Sequence, residues 1–298
     1  MTNYNQINKN HTIFLFLLSI FFLILSIDIQ ISGLTAICFF LIATVGVSHG
    51  SLDDIKGAKL LRIFKIKKKS LFYLIYIFIS LIIVCAWLLF PFFTLTIFLI
   101  TASHHFGKED SVFGKIKRFK LRDFFLFLKG SLVISAPFYF HTYETMQIFK
   151  ILDVKFNQYN TDLIVILIFL SLISNFFVNK NIFLSLLDSL TIIILNINFE
   201  PLLAFTIYFC FLHSIRHSLS LIKEMNNKNI KKGLIIFLKK ALPLTVVTAL
   251  GFLIAVFLLN EYYLLNSAII KVIFIGLASL TFPHILLEYL LEKNEKRT

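Results

Sequence analysis

The chain has 298 residues, 58% of them hydrophobic, with a mean hydropathy of +0.86. Soluble domains hold roughly 45–50% apolar residues, so a water-soluble globule is excluded and an integral membrane protein is indicated. A net charge of +13 would suggest nucleic acid in a soluble chain. Here the lysines fall in short connections between apolar runs, as cytoplasmic loops require, and no nucleic-acid binding is expected.

A helix needs about 20 residues to cross roughly 30 Å of hydrocarbon. Apolar runs predict about ten such spans, in chain order 12–29, 31–48, 70–90, 92–107, 123–140, 162–178, 182–198, 201–220, 241–259 and 264–290. The first follows few basic residues and shows no small-residue cleavage site, so it is expected to be a retained span and not a removed signal peptide. The run 92–107 is short and 182–198 carries Asp188, which makes these two the weakest spans. No long soluble segment interrupts the series. The expected architecture is all-α: a polytopic helical membrane protein forming one integral-membrane domain, 1–298. Cys38, Cys85 and Cys210 lie inside apolar runs without paired spacing, which argues against disulfides and against cysteine-bound zinc.

Basic residues set the orientation. With the N-terminus inside, the inner connections hold the clusters Lys56–Lys69, Lys108–Arg122, Lys223–Lys240 and Lys293–Arg297, together with Lys180. The outer ones keep only Lys150 and Lys155. This asymmetry predicts both termini in the cytoplasm and a multi-pass protein of the cell (inner) membrane.

Under that topology His49 ends span two and His104 and His105 end span four. His213 and His217 lie late in span eight, and His284 lies late in span ten. All four helices run from outside to inside, so the histidines share one depth near the cytoplasmic face. Imidazoles at that depth are costly unless they serve a site, and a shared metal ion accounts for them. His213 and His217 are four apart and project from one helix face. His104 and His105 diverge by about 100°, so one of them is expected to face the site. His11 and His141 fall at other depths and read as surface residues. Asp53 and Asp110 follow histidines closely. Each could orient a ligating imidazole, bind the metal itself, or balance loop lysines. Arg216, inside an apolar span, needs a carboxylate or carbonyl partner.

Four motifs in this order, Ser-His-Gly-Ser-Leu-Asp (48–53), His-Phe-Gly-Lys-Glu-Asp (105–110), His-Ser-Ile-Arg-His (213–217) and Pro-His (283–284), resemble the Brp/Blh family of bacterial and archaeal beta-carotene 15,15'-dioxygenases. The resemblance implies one ferrous iron, Fe(2+), held by His49, His105, His213 and His217. Asp53, Asp110, His104 and His284 could then stand behind the ligands. It also implies cleavage of the central double bond of beta-carotene by O2 to two all-trans-retinal, which links the enzyme to a retinal-binding rhodopsin. Ser48 stands where a proline is expected and Leu212 where an aromatic is frequent, departures that bear on substrate fit.

Two other classes share some of these features. A di-iron desaturase or hydroxylase also clusters cytoplasmic histidines but normally needs about eight. A retinal-binding membrane protein would use Lys271 of the last span as a Schiff-base lysine, although that lysine sits near the outer end, where snorkelling is usual; a metal transporter would instead use histidine and aspartate as a permeation path.

Overall fold

The computed structural model describes residues 2–25, 33–113, 120–155 and 160–295; for His49 it describes the backbone alone. Basic residues 115, 117, 118, 296 and 297, and positions 26–29 and 31–32 of the first two expected spans, lie outside the described residues.

Proline and asparagine punctuate the chain. Pro91 and Pro201 open helices at their first turn, where a missing N–H costs nothing. Asn160, Asn181 and Asn229 cap three others by accepting backbone N–H bonds. The described residues form eleven helices. They are α1 (Thr2–Leu25), α2 (Leu34–Ile63), α3 (Ser70–Leu89), α4 (Pro91–Glu109), α5 (Arg122–Phe140), α6 (Thr142–Ile151), α7 (Thr161–Val178), α8 (Ile182–Asn198), α9 (Pro201–Met225), α10 (Ile230–Leu259) and α11 (Leu265–Glu295).

Each of the ten expected spans coincides with a helix, but eight of the helices, not ten, are long and apolar enough to cross a bilayer. The exceptions are α4 and α8, the two weakest by sequence. The last two turns of α4 carry His104, His105, Lys108 and Glu109, and α8 has 17 residues with Asp188 among them. Two further differences concern α2 and α6. The second span was expected to end at 48, but α2 runs on to Ile63 because Asp53 and Asp54 restart regular α-helix at a favourable N-terminal turn. The connection after α5 folds into the short helix α6.

Burial shows which helices are central. In α9 and α11, 56% of the apolar window is buried, against 6% in α3 and 17% in α10. The exposed faces of α3 and α10 carry Leu74, Phe78, Ile254 and Phe257, side chains suited to lipid and not to water.

Two helices near the centre change their winding. In α2, a π-helical stretch Ile42–Gly46 passes into a 3-10 turn Val47–Leu52 that bears His49. In α9, Tyr208–Ser214 is π-helical and bears His213. These stretches meet: the Ser214 hydroxyl donates to the Gly46 carbonyl at 2.8 Å, and a Cβ on Gly46 would lie 2.6 Å from Phe209. Such π segments gather at functional sites because they re-aim side chains.

Helices α4 and α5 approach backbone to backbone. A Cβ on Gly107 would sit 1.8 Å from the Leu126 carbonyl oxygen, and one on Gly130 1.8 Å from that of Ser103. Small residues permit this contact, and it fixes the end of α4 where His105 lies. The buried Lys129 ammonium donates to the Asp110 carbonyl (3.1 Å) and the Ser111 hydroxyl (3.2 Å), holding the same end.

Asp188 has a partner inside the bundle. Arg216 donates to both its oxygens at 2.8 and 2.9 Å and to Thr12 at 2.8 Å, tying α1, α8 and α9 together. This is the carboxylate that Arg216 required.

Candidate metal centre

Four histidines from three helices converge. His105 comes from α4, His213 and His217 from α9, and His284 from α11; all are buried. The His105 ring lies 5.3 Å from those of both His213 and His284, and His217 lies 6.0 Å from His284. Glu288, one turn beyond His284, completes the group. One ligand atom each from His105, His284 and Glu288 fall within 4.8 Å of one another, close enough to share a metal ion. His217 Nε2 is 3.5 Å from Glu288 and 3.6 Å from Glu109.

Carboxylates stand behind two of the rings. Asp110 accepts from His213 Nδ1 at 3.1 Å and from the Tyr208 hydroxyl at 2.6 Å. Asp53 lies 2.9 Å from His284 Nδ1 through both oxygens and accepts from the Tyr76 hydroxyl at 3.0 Å. Each aspartate thus serves a histidine from another segment, not the neighbour it follows in sequence. Burial alone would raise the Asp110 carboxyl, but the His213 imidazole, the Arg216 guanidinium and the Tyr208 hydroxyl outweigh it and bring it down to about 2.

The remaining histidines fall elsewhere. His104 turns away from the group and faces Asp123 at 4.0 Å. His141 is half-buried, 3.9 Å from Glu144. His11 is not a surface residue: its Nε2 donates to the Phe211 carbonyl in the π-helical stretch of α9 at 2.8 Å. The His49 backbone lies in the 3-10 turn of α2, and its side chain lies outside what is described. Lys271 is buried and paired with Asp153 at 2.5 Å instead of snorkelling.

Glu288, Tyr76 and Tyr208 were missed by the sequence reading. For Glu288 a signal existed, since it follows His284 by four on one helix face. The phenols gave none, because each meets its aspartate only through the tertiary fold.

A cavity of about 610 Å³ reaches this group, with His105, His284 and Asp53 in its wall. The rest is mostly apolar, with Phe98, Phe138, Phe149, Phe205 and Phe274 prominent. That volume lies within the range of about 300–1,000 Å³ for small-molecule sites. Ile77 and Leu81 of α3 and Val247 of α10 line the cavity and are exposed apolar side chains.

Fold and site together define a helical membrane protein with a buried histidine–carboxylate group able to hold a metal ion in the wall of an apolar cavity. Comparison with known proteins specifies this further. The family model described as "Beta-carotene 15,15'-dioxygenase" matches residues 40–292, and the chain belongs to that family. A curated relative, the beta-carotene 15,15'-dioxygenase of uncultured marine bacterium 66A03, is 27% identical over 273 residues, covering 86% of this chain and 94% of the relative. No solved structure matches the chain.

Proposed function

We propose that the chain cleaves the central double bond of beta-carotene with O2 at one iron ion held by His105, His213 and His217, with His49 completing the set. The observation that carries this reading is the meeting of the buried histidine group with a long apolar cavity in a member of the dioxygenase family. The donor set suits the metal: imidazoles and carboxylates bind non-haem iron, and the carboxylate behind His213 is the usual companion of a ligating imidazole. Bound iron supplies the redox chemistry that activates O2 without an organic cofactor.

The chain's own residues do the rest. Asp110 accepts a hydrogen bond from His213 Nδ1, which keeps the proton there and directs the Nε2 lone pair toward the centre. The aromatic wall aligns a polyene past His105 and excludes water from it. Ile77, Leu81 and Val247 offer a lateral opening through which a carotenoid passes from the bilayer without crossing water. The overall reaction balances: the central C=C bond and the O–O bond break, and each oxygen becomes the aldehyde oxygen of one retinal. No external reductant or proton is needed. Lys56–Lys69 and Lys223–Lys240 lie on the cytoplasmic face in this reading, with both termini inside, and the retinal produced would serve a rhodopsin.

Expression in cells that make beta-carotene tests the proposal. Loss of yellow colour with retinal as the aldehyde supports it. Intact carotenoid beside inserted, iron-loaded protein opposes it, and a hydroxylated or further desaturated carotenoid would favour the di-iron class.

A further inference from the structure

Two chains of the same composition, Tyr–Asp–His, reach His105 through different rings. In one, the Tyr208 hydroxyl donates to Asp110 Oδ2 (2.6 Å) and Asp110 Oδ1 accepts from His213 Nδ1 (3.1 Å). In the other, the Tyr76 hydroxyl donates to Asp53 Oδ2 (3.0 Å) and the Asp53 carboxylate accepts from His284 Nδ1 (2.9 Å). The His213 and His284 rings stand at 66° and 85° to the His105 ring, each with its centroid 5.3 Å away. The two chains share no helix. The first joins α9 to Asp110, the residue just after α4; the second joins α2, α3 and α11.

Chemistry makes the two arrangements equivalent. An ionised carboxylate only accepts, so it fixes the proton on Nδ1 and leaves the Nε2 lone pair of each ring for a metal. A tyrosine donating to the same carboxylate restricts its rotation and hence the ring's. His284 Nε2 in turn lies 3.7 Å from Glu288, on the side of the group that His105 faces. One difference remains: Tyr76, Asp53 and His284 wall the cavity, whereas Tyr208, Asp110 and His213 do not.

We propose that Tyr76 and Asp53 are positioning residues that hold His284 as a further ligand of the iron on the substrate side, as Tyr208 and Asp110 hold His213. The proposal rests on the iron reading above. His284 is then part of the coordination sphere and not a mere pin between α2 and α11, and the ring of Tyr76 is at once cavity wall and ligand support.

The test uses the purified full-length protein loaded with Co(II), whose visible ligand-field bands report the donor set whether or not turnover occurs. Asp53→Asn is expected to shift these bands and to weaken metal retention against a chelator on the order of 10–100-fold, the usual cost of removing a partner behind a ligand. His284→Gln should change the bands more strongly. Tyr76→Phe keeps the aromatic wall and should move the bands in the direction of Asp53→Asn by less; it carries the test if the His284 variant does not fold. Unchanged bands and retention in His284→Gln or Tyr76→Phe, with His213→Gln losing metal, would overturn the proposal and leave the iron reading standing. Full metal retention by His105→Gln and His213→Gln would defeat the iron reading itself.

Discussion

His104 and His105 show how one position on a helix separates a metal ligand from a surface group. His105 is 5% exposed and faces two imidazoles, while His104 is more open and faces the exposed Asp123. His105→Ala, His213→Ala and His217→Ala are each expected to remove bound iron and cleavage activity, whereas His104→Ala keeps both. Metal analysis of the purified variants checks this, and full iron in any of the first three removes that residue from the set. Arg216 gives a second prediction at this scale. Its guanidinium is buried with Asp188, and Arg216→Met leaves that carboxylate uncompensated, a loss on the order of 3–5 kcal/mol. A drop in thermal midpoint checks it, and the double variant with Asp188→Leu should recover part of the loss. The histidines were legible because an imidazole in an apolar run is conspicuous. Tyr76 and Tyr208 were not, since a phenol in a membrane helix has the same appearance at a lipid interface as behind a carboxylate.

Apolar length locates helices well and says little about their winding. Apolar runs therefore located the helices but not which of them can cross a membrane, nor the π-helical turns of α2 and α9, where Gly46, Phe209 and Ser214 pack against one another. Nor did they show that α2 continues beyond His49, because polar Asp53 and Lys56 read as a loop until their partners Tyr76, His284 and Glu288 are known. The α4–α5 contact belongs to the same class of hidden feature. Gly130→Val would place side-chain atoms on the Ser103 carbonyl, separating the helices and displacing His105; reduced yield of folded protein and loss of iron are expected, measured by detergent-solubilised recovery and metal content. In the ten-span topology α4 and α8 cross together with the eight more apolar helices, so reporter fusions after Lys69, Lys120 and Lys240 should signal the cytoplasm and one near Lys155 the outside, whereas eight crossings would reverse the signals at Lys120 and Lys155. An external signal at Lys120 would break the common depth of the histidines.

At the scale of the whole molecule, the bundle sets a polar centre in the wall of an apolar chamber. The chamber wall draws on α2, α3, α4, α5, α6, α9, α10 and α11, so no single stretch of sequence could announce it. The lateral opening proposed at Ile77, Leu81 and Val247 makes a prediction independent of the metal: Leu81→Trp narrows that entry and should lower kcat/KM for beta-carotene roughly tenfold while iron content stays unchanged. The central claim, symmetric cleavage by O2 at this centre, is tested most directly by product stoichiometry. Purified, iron-loaded protein supplied with beta-carotene and isotopically labelled O2 should release two molecules of retinal per carotenoid consumed, each carrying one labelled oxygen. Two unequal apocarotenals, or retinal without the label, would contradict it.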